Sequence, residues 1–126
     1  MWLREYGGAN LRPAAEVGLE QVLESAGAQR LVVGHTPQAR GINSIATPAG
    51  AAVWRIDTGM AAGMYRGPRE VLEIRKDGVV RVLSEQKGAI PAEVRTRLTT
   101  DQISPPPPPP SSSVPARETV AAVWSL

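Results

Sequence analysis

His35 is the one histidine in the chain, and it follows an aliphatic run, Leu31-Val32-Val33-Gly34-His35-Thr36-Pro37. Neutral imidazole is the commonest metal ligand, and its second ring nitrogen usually needs an orienting acceptor. A second apolar run, Val53-Trp54-Arg55-Ile56-Asp57-Thr58-Gly59, ends in a carboxylate. Loops at the C-terminal ends of sheet strands carry reactive groups because the strand fixes position and the loop supplies exposure. His35 is therefore a candidate metal ligand and Asp57 a candidate acceptor for its other nitrogen. Gly34 lets the backbone bend and approach a bound ion closely. Plainer alternatives stand beside these: a hydrogen-bonded loop histidine, and a strand-ending turn in which Asp57 accepts nearby backbone N–H groups. Asp57-Thr58-Gly59 also matches an aspartic-protease triplet, but the sequence holds a single copy.

Those two runs need elements to hold them. Pro13 to Ala26 reads as a helix: Ala15, Leu19, Val22, Leu23 and Ala26 recur at helical spacing, Pro13 suits a first turn, and Gly27 suits the position past the end. Leu31 to Val33 is then a short strand, so helix, turn and strand form half of an α/β unit. Pro37 to Gly50 reads as loop with a short strand near Ile45, and Ala51 to Ile56 as the next strand. Met60 to Pro68 holds Gly63, Gly67 and Pro68 and reads as irregular loop. Val71-Ile74 and Val79-Leu83 flank Asp77-Gly78, the strongest short-range hairpin signal in the chain. Ile90 to Leu98 is expected to form a helical turn or two. Six prolines, Pro105 to Pro110, followed by Ser111 to Ser113, force an extended segment and then flexible chain.

Composition limits what such a chain does. With the tail set aside, roughly 85 residues are left for one small core. Hydrophobic content is 42%, but Phe is absent and much of the apolar content is Ala and Val, so an under-filled core is expected. The formal charge of +2 comes from scattered arginines, without the basic stripe and aromatic platform of a nucleic-acid binder. Zero cysteines exclude disulfides and zinc–thiolate sites. No stretch approaches the ~18 apolar residues of a membrane helix, and Met1 to Asn10 lack the pattern of a signal peptide. Neither nucleic acid nor membrane is expected as a partner.

Four segments in one order carry a family likeness: Val32-Val33-Gly34-His35-Thr36-Pro37-Gln38, Gly41-Ile42-Asn43, Trp54-Arg55-Ile56-Asp57-Thr58-Gly59-Met60, and Glu70-Val71-Leu72-Glu73-Ile74. Over about residues 2 to 84 the chain resembles the C-terminal portion of calcineurin-like metallophosphoesterases, in particular the Shewanella-like serine/threonine phosphoprotein phosphatases. The resemblance implies an α/β (α+β) fold, the C-terminal part of a β-sandwich flanked by helices, over residues 1–86. Residues 87–126 would then be a linker and a disordered proline-rich tail. It implies that His35 ligates one ion of a divalent metal pair (Mn, Fe or Zn). In such enzymes a hydroxide held by the pair attacks a phosphoprotein monoester. It also implies that Arg4, in Trp2-Leu3-Arg4, contacts the substrate phosphate, for which a guanidinium is suited, and that Tyr65 lies at the substrate rim. Solvated surface arginine and plain loop aromatic are the respective alternatives.

The family's other ligands lie in Asp-x-His, Gly-Asp-x-x-Asp-Arg-Gly and Gly-Asn-His-Glu motifs, and none occurs here. The aspartates are Asp57, Asp77 and Asp101 alone. Two-metal catalysis needs several ligands holding ions ~3.5–4 Å apart, so the chain is expected to be inactive by itself and to bind no metal stably. The other ligands are expected in sequence preceding Met1. If the chain is such a piece, strands Leu31–Val33 and Ala51–Ile56 expose edges meant for absent neighbours. The alternative function is a non-catalytic binding or regulatory module that recruits an SH3- or WW-type partner through Pro105 to Pro110. The resemblance leaves the compartment open between cytoplasm and an organelle, plastid or mitochondrion.

Overall fold

A computed structural model of the chain describes residues 5–61, 63 and 66–102. After a 3-10 turn at Glu5–Gly7 come the helix α1 (Pro13–Ala26) and three short strands, β1 (Arg30–Val33), β2 (Asn43–Ala46) and β3 (Ala52–Arg55). β4 (Glu70–Ile74), β5 (Val80–Ser84) and β6 (Gly88–Pro91) follow, then the single turn α2 (Ala92–Arg95), β7 (Thr96–Leu98) and a second 3-10 turn. The strands form two sheets, ordered β1-β3-β2-β7 and β4-β5-β6. The molecule is thus mixed α and β with few helices. No described helix is long and apolar enough to cross a membrane.

Helix α1 begins where the proline stands. Pro13 needs no N–H partner at the first position, while Ala15 and Glu16 donate to Arg12 O. It stops at Gly27, left-handed with φ 60, where the Gly27 N–H bonds Glu24 O and Ala28 N–H bonds Leu23 O. Ala15, Leu19 and Leu23 turn inward, and Leu19 and Leu23 pack with Leu11, Ile45 and Val53 on one face of the larger sheet. Val22 has helical spacing but faces outward. The opposite face of that sheet meets the smaller one through Ile42, Trp54, Val82 and Ile90. Period-two alternation explains both layers, because Val53 points at the helix and Trp54 at the second sheet. Fully burying an aliphatic side chain such as Leu19 or Val82 stabilises by roughly 1.5–3 kcal/mol.

The hairpin forms as its Asp-Gly signal predicts. Strands β4 and β5 pair antiparallel with Leu72 opposite Val82, and Gly78 takes φ 88 in the connection. Asp77 Oδ1 accepts the Val79 N–H there. One expectation is met in part and another needs correction. Ile90 to Leu98 holds one helical turn, α2, but it is not helical throughout: Ile90 sits in β6, paired with Val82, and Arg97 sits in β7, which runs parallel to β2. Proline at 91 and β-branched Thr96 favour extended backbone on both sides of the one turn. Nor is β3 an edge, because it lies between β1 and β2, leaving β1 at the border of its sheet. The chain from 103 to 126, with Pro105 to Pro110, lies outside the described residues.

Candidate functional site

Strands β1 and β3 are parallel, with Val33 level with Arg55. Their C-terminal ends therefore emerge at one border of the sheet, and the loops carrying His35 and Asp57 start side by side. The Ile56 N–H donates to Val33 O at 3.0 Å, and the Gln38 N–H donates to Asp57 O at 2.6 Å. His35 is exposed and has φ 69, the left-handed region that L side chains rarely adopt. Such backbone persists where its surroundings hold it, and here they do. Gly34, open on its Cβ side, starts the bend. Thr36 then lies so close over Gly7 that a Cβ on Gly7 would sit 2.4 Å from Thr36 Oγ1.

Amides lock the loop. Gln38 Nε2 donates to Gly7 O (3.1 Å) and Thr36 O (2.9 Å), and Gln38 Oε1 accepts from Asn43 Nδ2 at 3.1 Å. Asn43 Oδ1 accepts in turn from Arg55 Nη2, while Arg55 Nη1 donates to Gly8 O. Arg55 is buried, and burial, followed by the nearby Arg97 charge, lowers its pKa to about 10. Asp57 Oδ1 accepts the Gly59 N–H at 2.9 Å in a tight side-chain turn. Gly67 closes the far side, where a Cβ would fall 1.5 Å from Thr58 O.

A second assembly braces this end from below. Arg95 of α2 grips Glu70 of β4 with two hydrogen bonds, Nη2 to Oε1 at 2.7 Å and Nη1 to Oε2 at 3.0 Å. Glu70 Oε2 also accepts the Ile42 N–H at 2.8 Å, and Arg95 Nη1 donates to Ile42 O at 2.8 Å. Gly41, at φ 106, presses against this pair: a Cβ there would sit 2.4 Å from Glu70 Oε2. Burial pushes the Glu70 carboxyl up, but the Arg95 hydrogen bond, the Ile42 N–H and the Arg95 charge together hold it below its ordinary value. The clamp fixes Gly41-Ile42-Asn43, and Asn43 in turn orients Gln38 and Arg55.

The structure thus brings His35, Gly34 and Asp57 to one sheet end. Arg4 and Tyr65 lie outside the described residues. Gln38, Asn43 and Arg55 belong to motifs visible in the sequence yet had no role there, because an amide's function depends on what folds against it. Among the described residues no group of three or more His, Cys, Asp or Glu side chains could hold a metal ion. Those residues alone do not fit a metal pair.

A layered α+β unit that presents its polar groups at the ends of parallel strands is the class this geometry defines. No family model matches the chain, and no solved structure matches it significantly. Shewanella-like protein phosphatase 2 of Arabidopsis thaliana is 36% identical over 85 residues, 67% of this chain. Over part of its length the chain is thus similar to a Shewanella-like protein phosphatase, the family its motifs resemble. The chain spans about a fifth of that relative's length, 21%.

Proposed function

We propose that the chain supplies one portion of a metal-dependent serine/threonine-type phosphoprotein phosphatase of calcineurin-like β-sandwich fold. Its proposed substrate class is a phosphoprotein monoester. One observation carries the reading: an exposed histidine in left-handed backbone at the end of β1, beside the end of β3, in a chain similar over 85 residues to a protein phosphatase. In this reading His35 gives a single imidazole to a divalent metal pair whose remaining ligands lie in other sequence. Gly34 allows the close approach, and Asp57 shapes the neighbouring loop. Arg4 is proposed to hold phosphate oxygens and Tyr65 to border the substrate mouth. Residues 1–86 form the phosphatase-like portion, with β6 and β7 packed onto it. The purified 126-residue chain should then show no turnover of p-nitrophenyl phosphate with added Mn²⁺. Turnover that disappears in His35→Ala would overturn the view that this portion is incomplete.

A further inference from the structure

Arg55 is a buried cation with no counter-ion among the described residues. It is 6% exposed, and among the described residues no carboxylate forms an ion pair with it or with Arg97. Both guanidiniums rise from the α1 side of the larger sheet. Arg55 shares that face with Asn43, its partner across β2, and Arg97 shares it with Ile45. Above them runs Gly8-Ala9-Asn10, which both grip: Arg55 Nη1 donates to Gly8 O, and Arg97 Nη2 donates to Ala9 O and to Asn10 Oδ1 (3.1 Å). A guanidinium has five N–H donors, and these bonds leave several over. The Arg55 Nε is buried with no hydrogen-bond partner.

Two like charges held against one backbone segment repel each other, and burial strengthens the repulsion. Neutral carbonyl and amide oxygens soften that cost without cancelling it. We propose that Arg55 and Arg97 form a binding site for a small doubly charged oxyanion, of the size of inorganic phosphate or sulfate, at the Gly8–Asn10 segment. A dianion matches two fixed positive charges, and its oxygens accept the fork donors that these bonds leave over. Chloride offers one charge and no such geometry. Arg97 is only partly buried, so the ion reaches the pair from that side. The occupied site also tightens Arg55 against Asn43, and through Gln38 the loop that bears His35.

The test is an NMR titration of the full 126-residue chain, following arginine Nε–H resonances with inorganic phosphate, then with sodium chloride at equal ionic strength. Saturable shifts at Arg55 and Arg97, absent at exposed Arg69 and Arg75 and absent with chloride, are the expected result. Arg97→Gln, at a partly exposed position that tolerates change, raises the phosphate Kd about tenfold, as the loss of one charge-assisted contact requires. Shifts that chloride reproduces, shifts spread over all exposed arginines, or an unchanged Kd in Arg97→Gln would overturn the site.

Discussion

Arg55 and Arg95 are both drawn out of solvent within the same small body, yet they are treated in opposite ways. Arg95 meets Glu70 face to face in a two-pronged pair, and the carboxylate takes a backbone N–H as well. Arg55 meets only neutral oxygens, with a second arginine nearby. The paired assembly is complete and fixes one loop conformation. The other carries charge that its described surroundings do not neutralise. Completeness marks the first as a structural clamp, and incompleteness marks the second as a place for something else.

Replacing each arginine by an apolar side chain of similar reach separates the two. Arg95→Met leaves the Glu70 carboxylate buried without its cation, and urea melts should show a loss of about 3–5 kcal/mol, enough to unfold a marginal domain. Arg55→Met removes an uncompensated charge along with two hydrogen bonds, so in phosphate-free buffer the change should stay within about 1 kcal/mol of zero. A large loss in both variants would break the contrast.

The clamp also has a pH signature. Glu70 is held below its ordinary value when folded, so its contribution is fully present above the unfolded pKa of roughly 4.3. It is lost as pH falls through the folded value. Thermal melts should therefore be level from neutrality to about pH 5 and weaken below about pH 4. Glu70→Gln should be less stable at neutral pH and show a shallower acid limb. An identical acid limb in that variant would assign the effect to other carboxylates.

The smallest expected effect concerns His35. Glycine adopts φ 69 without steric cost, but His35→Gly also removes the ring's own contacts and frees the unfolded chain, so the net change should stay within about 1 kcal/mol of zero. Destabilisation by more than about 1 kcal/mol would instead make the ring a packing element.

Sequence pattern alone disclosed α1, the Asp77-Gly78 hairpin and the strands before His35 and Asp57, because helical period, strand alternation and glycine position act locally. Gly88 to Leu98 escaped that reading. Ala89, Pro91, Val94 and Thr96 follow neither period, and what makes β6 and β7 strands is their pairing with β5 and β2. The Glu70–Arg95 pair joins β4 to α2, elements far apart in sequence, so no spacing rule reaches it. Gln38 and Asn43 are legible as loop amides, but their mutual hydrogen bond exists only once Gly7 closes over Thr36. The site's neighbours, in short, are set by tertiary contact.

The central claim, that His35 serves a phosphatase metal centre completed by other sequence, is open to one direct trial. The 85-residue region matched in Shewanella-like protein phosphatase 2 can be exchanged for the corresponding stretch of this chain, and Mn²⁺-dependent hydrolysis of p-nitrophenyl phosphate measured. The account predicts an active hybrid whose turnover falls roughly 100-fold or more on His35→Ala, as loss of a metal ligand requires. A folded, active hybrid indifferent to that substitution would contradict it.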